Sequence, residues 1–306
     1  MDVPYDLKQT NYLQMKYPIY ISVIAGLLAN SCEMVVDVEI PAHKPTLVIN
    51  SFIDPSEPFS AQISNSLGVL DRGEIKSIDS AVVKIYEGDI LIEQLQLSQN
   101  GNYISANKFP LPGKSYKITA SASPYDDVYA TAEIPSEVNI SDVVFKDSVA
   151  SGDSYNITSS VTFTIHDPSI KNYYEVSLYY LIYDSINPEP ELSPIYAYSN
   201  DPAIESDDVG SNNILFTDEH FNGRNYQLEI LFSSPLFHPE GKVSDYDLVL
   251  SFANASEAAF LYKTTLSKNI QASFNPFAEP APVYTNIKNG LGIFAGKNSK
   301  YIVVPK

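Results

Sequence analysis

Cysteine is the scarcest of the residue types that do chemistry here: Cys32 stands alone among 306 residues. A lone thiol closes no disulfide within the chain, so its use must come from its position. It follows Leu28-Ala29-Asn30-Ser31, the first two of which end an uncharged run from Tyr17 to Ala29 that begins just after Lys16. A basic residue, a short apolar segment and small residues, in that order, make a secretory signal. The run is too short to span a bilayer as a helix, which takes about 20 apolar residues. Cleavage before Cys32 leaves its thiol at a new amino terminus as an acyl acceptor. Residues 1–31 are therefore read as a lipoprotein signal peptide and Cys32 as the lipid-attachment site, although Asn30 fits the cleavage motif imperfectly. A start at Met15 instead of Met1 gives the more conventional signal, because Asp2 and Asp6 sit oddly in a basic n-region.

The other constellations are thin. His43, His166, His220 and His238 show no H-x-x-x-H or E-x-x-H spacing, the pattern that places zinc ligands on one helical face. Asp218-Glu219-His220 is the densest cluster and reads as an exposed turn before Phe221-Asn222-Gly223. No G-x-S-x-G elbow is present for a serine nucleophile. The run Gly290 to Gly296 lacks the Lys-Ser/Thr of a phosphate cradle, and reads better as a glycine-kinked terminal strand. Paired carboxylates such as Asp126-Asp127 are expected by chance in an acidic chain. The oxygen-rich stretch Asp201 to Asp208 lacks EF-hand spacing and reads as a solvated loop. The expectation is a protein that is not an enzyme, with no metal and no cofactor.

Charge narrows the partners. With 37 acidic against 19 basic residues the net charge is -18, so the counterion release that drives nucleic-acid binding has no source. Adhesion to anionic headgroups is opposed as well, which leaves acyl chains as the membrane attachment. One stretch looks like a contact surface. From Asp184 to Asn213 the chain is polar and long, and loops of that length are usually either functional or disordered. Tyr196 and Tyr198 sit on it beside Pro194. Tyrosines on loops offer a flat apolar face with a hydroxyl, which suits a glycan or peptide ligand.

The elements that must position these residues are strands. The chain has 22 Tyr and 14 Phe but no Trp, and aromatic and β-branched residues suit pleated, half-buried surfaces. Alternation is clear: Leu47, Ile49 and Ser51 share a face, as do Ala81, Val83 and Ile85, then Tyr116, Ile118, Ala120 and Ala122. Leu95 and Leu97 form a further inward pair, and Asn100-Gly101 is a strong hairpin signal. Later rows are Val161, Phe163, Ile165; Tyr174 to Ile182; Tyr226 to Phe232; and Tyr246 to Phe252. Asn254 with Glu257 three residues on makes a capping box that opens a helix. The fold expected is all-β: two immunoglobulin-like or related antiparallel β-sandwich domains with one short C-terminal helix. A tether covers 32–45, an N-terminal sandwich 46–135, and a C-terminal sandwich 136–306 carrying an inserted loop at 184–213 and the helix at 254–268.

The motifs also occur in a familiar order. SCE at 31–33, PTLVINSFI from Pro45, IDSAVVKIYEGD from Ile78, NGNY from Asn100, PGKSYKITA from Pro112 and TNIKNGLGIFAG from Thr285 together resemble the Bacteroidota lipoproteins of domain-of-unknown-function family 4249. The resemblance covers almost all of the chain after Cys32. It implies an outer-membrane, lipid-anchored protein, at the cell surface or on the periplasmic face, that works beside a TonB-dependent transporter or another envelope protein. It supplies no catalytic residues to carry over. Glu33 fits an acidic surface-export signal of that group, although the acidic run is sparse. Ser80, Ser148 and Ser185 each follow Asp and precede an apolar residue, the acceptor pattern of O-glycosylation in the same bacteria. The functional expectation is a binding or accessory subunit in nutrient uptake. A structural or adhesion lipoprotein and a hydrolase are the alternatives.

Overall fold

Leu47, Ile49 and Ile53 are buried while Val48, Asn50 and Phe52 are half-exposed, so the period-2 pattern makes a strand with two different faces. The same logic runs through the computed structural model, which describes residues 43–68, 71–150, 157–183, 190–204, 212–233, 246–275, 277–279 and 281–305. Residues 1–42, where the signal peptide, Cys32 and most of the tether were expected, lie outside the described residues.

The first half contributes β1 (Leu47–Ile53), β2 (Ser60–Asn65), β3 (Val82–Glu87), β4 (Ile90–Gln94), β5 (Gln96–Gln99), β6 (Asn102–Ile104), β7 (Ser115–Ser121) and β8 (Val128–Glu133). The second half contributes β9 (Ile140–Ala150), β10 (Ile157–His166), β11 (Tyr173–Ile182), β12 (Glu191–Ile195), β13 (Ala197–Tyr198), β14 (Asn213–Thr217), β15 (Asn225–Ser233) and β16 (Tyr246–Ala255). The helix α1 (Glu257–Ser273) and β17 (Leu291–Val303) complete it.

Three sheets result among the described residues. One runs β12-β11-β16-β17-β1-β2-β6-β5, with β14 also paired to β11. Two four-stranded sheets, β4-β3-β7-β8 and β13-β15-β10-β9, complete the set. The fold is all-β and sandwich-like, with a single short helix among the described residues. Leu47, Ile49 and Ile63 share one core with Val83, Ile85 and Ile118. Tyr174, Val176, Leu250 and Phe252 share a second with Phe163, Leu228 and Ile230. Apart from Ile287, Phe294 and Val304, the first core draws on residues 47–134 and the second on residues 138–252, so their edges meet near residue 135. The strands do not divide there. β17 lies parallel to β1 and antiparallel to β16, and Phe294 joins the first core while Val304 joins the second. Residues 43–306 form one compact unit.

Four local expectations need correction. Leu97 is 43% exposed, because the chain changes sheets at buried Leu95: β4 pairs with β3, whereas β5 pairs with β6. The stretch 184–213 is not one loop. It contains β12, paired to β11, and β13, paired to β15, and so crosses between two sheets. Pro194 is tolerated because β12 is an edge strand, where a missing N–H breaks no ladder. The helix starts later than Asn254, which is still in β16 opposite Asn298. Ser256 is the cap, its side chain accepting from Ala259 N–H at 3.3 Å. Finally, the β1–β17 pair is parallel in an otherwise antiparallel arrangement.

Candidate functional site

In the sheet β4-β3-β7-β8, Val83, Ile85, Tyr116, Ile118, Ala120, Val128 and Ala130 point into the core. Alternation therefore sends Lys84, Tyr86, Lys117, Thr119, Ser121 and Tyr129 to the other face. Register decides what they make. Lys84 lies opposite Thr119, Tyr86 opposite Lys117, and Thr119 opposite Tyr129. Short Thr119 and Ser121 on the central strand form a floor between longer side chains on β3 and β8. The result is a depression of about 350 Å³, with Val82, Asp127 and Val128 at its margin.

Lys117 bridges its walls. Its Nζ stands 5.9 Å from the Tyr86 ring centroid and 5.5 Å from that of Tyr129, a spacing within cation–π reach. A cation held between two ring faces stays in place without an acidic partner. The depression thus offers two aromatic surfaces, the Lys84 and Lys117 ammoniums and two hydroxyls. These are groups that hold a polar ligand by stacking and hydrogen bonding. Sequence reasoning missed this site, although the alternation K-x-Y in β3 and K-x-T-x-S in β7 was visible. What was not visible was the register that joins three separate strands.

The residues singled out from sequence lie elsewhere. Tyr196 is 56% exposed and Tyr198 half-buried, on the outward side of a stretch whose Ile195 and Ala197 are buried. They belong to the crossover into β13, on a different sheet from the depression. Ser80 is exposed in the turn before β3, where Asp79 Oδ1 accepts from Gly101 N–H at 2.6 Å. Ser148 falls in β9, and Ser185 and Cys32 lie outside the described residues.

Asp218 overturns the exposed-turn reading of Asp218-Glu219-His220. It is 1% exposed, whereas Glu219 and His220 are exposed. Its Oδ2 accepts from Asn172 N–H at 2.8 Å. Nearby, Asp167 accepts from the Tyr174 hydroxyl and, at 2.6 Å, from Gly223 N–H. Burial raises the Asp218 pKa above the usual carboxylate value, and the Asp167 charge adds to it. These carboxylates clasp two loops together. Asp201 is likewise committed, accepting from the Tyr226 hydroxyl at 2.5 Å and from Ala203 N–H at 2.9 Å; it is half-buried, not part of a solvated loop. Among the described residues, no three His, Cys, Asp or Glu side chains gather as metal ligands.

Fold and site together define an all-β, sandwich-type protein with a depression on one open sheet face. The chain belongs to the family described as Domain of unknown function (DUF4249), whose model matches residues 33–301. No curated protein matches the sequence.

Proposed function

We propose that the chain is an outer-membrane lipoprotein, attached through acyl chains on Cys32, that serves as a binding or accessory subunit of a TonB-dependent transporter in nutrient uptake. The observation that carries the binding reading is the depression on β3, β7 and β8, where Tyr86 and Tyr129 flank Lys117. Its groups suit a hydroxyl-rich ligand, and a glycan fits better than an apolar one. Tyr196 and Tyr198 supply a second contact surface, towards the transporter.

Three measurements test this. Pulldown of the intact lipoprotein from solubilised outer membranes, read by mass spectrometry, should recover a TonB-dependent transporter. Recovery of adhesion or secretion components alone would favour the structural alternative. On a panel of oligosaccharides, Tyr129→Ala should weaken binding about tenfold, the equivalent of about 1.4 kcal/mol. Lys117→Ala should do the same, while truncation of the exposed Tyr129 should move stability by only about 0.5 kcal/mol. Unchanged binding in both variants would remove the depression from the proposal. A Cys32→Ala chain should leave the membrane fraction.

A further inference from the structure

Helix α1 meets the large sheet through its first half, where Ala258, Ala259, Phe260 and Tyr262 pack against Tyr173, Ile293 and Phe52. Its far end is different. Phe277 is 95% exposed and Phe274 83%, the highest values of any large apolar side chains among the described residues, and Ile270 one turn before Phe274 is 47% exposed.

These side chains do not dangle from an unsupported end. Phe274 N–H donates to Gln271 O at 3.3 Å, Asn275 N–H to Ala272 O at 3.1 Å, and Ala278 N–H to Asn275 O at 3.0 Å. Asn275 Oδ1 accepts from Phe277 N–H at 3.0 Å. The returning segment is fastened to the helix by Asn269 Nδ2 on Ala281 O at 2.6 Å and by Tyr284 N–H on Thr265 Oγ1 at 2.9 Å. The described residues of the tip are thus hydrogen-bonded to the helix end and to one another while both aromatic rings stay exposed.

Charge and area decide what covers them. Residues 270–278 carry no charged side chain, in a chain with 37 acidic residues. This tip is thus a place where the protein meets an apolar boundary without burying a charge, which would be costly. Two aromatic rings bury about 150–250 Å² each, well short of the roughly 800 Å² per partner of a stable protein interface. A convex tip of that size is too small for a dimer contact but suits the boundary between headgroups and acyl chains.

We infer that the tip is an interfacial foot: Ile270, Phe274 and Phe277 seat in the headgroup–acyl boundary of a phospholipid bilayer and fix how the protein stands on it. The inference is independent of the transporter and of any ligand in the sheet depression. The chain has no tryptophan, so Phe277→Trp places one fluorophore at the tip. Phe109→Trp places one in the connection between β6 and β7, at a position 47% exposed in the native chain. The full chain carrying either substitution is reconstituted on phosphatidylcholine vesicles with and without brominated lipid. Trp emission from position 277 should move to shorter wavelength and be quenched about threefold more than from position 109. Emission at 277 that stays at its water-exposed wavelength, or is quenched no more than at 109, overturns the foot. So does a blue shift at 277 that grows with protein concentration in the absence of vesicles, which would make the tip a contact between copies of the chain.

Discussion

Asp218 shows why a polar residue is hard to place from its neighbours in sequence. Asp-Glu-His before Phe-Asn-Gly has the composition of an exposed turn, yet Asp218 is buried through a partner, Asn172, that lies 46 residues away. The inward rows beside it were legible: Tyr174 and Val176, and Leu228 and Ile230, are at 0% exposure, as period-2 alternation requires. The buried carboxylate makes a testable difference. Burial and the nearby Asp167 raise its pKa from 3.8, so the folded chain holds that proton more tightly than the unfolded one. Stability linked to this group is greatest at acid pH and falls as pH rises through the raised value. At neutral pH the charge opposes the fold. Asp218→Asn keeps a carbonyl oxygen for the Asn172 N–H and removes the charge, so the melting temperature at neutral pH should rise and its fall between acid and neutral pH should flatten. Asp218→Ala removes the acceptor instead and should cost about 1–3 kcal/mol by denaturant titration, the penalty for an orphaned buried donor.

Helix α1 was legible as an element but not at its start. Asn254 and Ser256 are both good capping types, and only pairing decides between them. The backbone of Asn254 is taken by β17, while its Nδ2 donates to Ser136 O at 3.0 Å. Nor did sequence show what pins the helix to the sheet. Glu175 is 6% exposed, and Lys263 Nζ reaches its Oε2 at 2.5 Å while also lying 5.2 Å from the Phe52 ring centroid. Removing one partner of a buried pair costs more than the pair contributes, because a charge is left without compensation. Lys263→Ala should therefore destabilise the chain by about 3 kcal/mol, the low end of the range for such truncations. The low end applies because Lys297 also feels the Glu175 charge. Urea unfolding followed by far-UV circular dichroism checks this. A loss below about 0.5 kcal/mol, the level of an ordinary surface change, would mean that Lys263 does not hold the helix.

At the scale of the whole molecule, the decisive contact was invisible in sequence because it joins residues more than 240 positions apart. Val48 pairs with Leu291 and Ile53 with Gly296, in parallel. Strand β17 thereby ties the sheet of the first core to β16 of the second. The glycines read from sequence as a kinked terminal strand are what permit it. Gly292 has φ +99°, and a Cβ there would lie 2.1 Å from Ile49 O on β1. At Gly296 a Cβ would lie 2.1 Å from Glu133 O at the end of β8. Backbone oxygen cannot step aside as a flexible side chain can. Gly292→Ala should therefore combine a disfavoured backbone conformation, about 1–3 kcal/mol, with separation of β1 from β17. The two cores share this strand, so both should weaken together. Calorimetry of the wild type should give one cooperative transition, and Gly292→Ala should lower its midpoint without splitting it. If instead the variant shows two transitions, with the Tyr174-centred core melting at the wild-type temperature, then β17 does not couple the halves and each core is stable on its own.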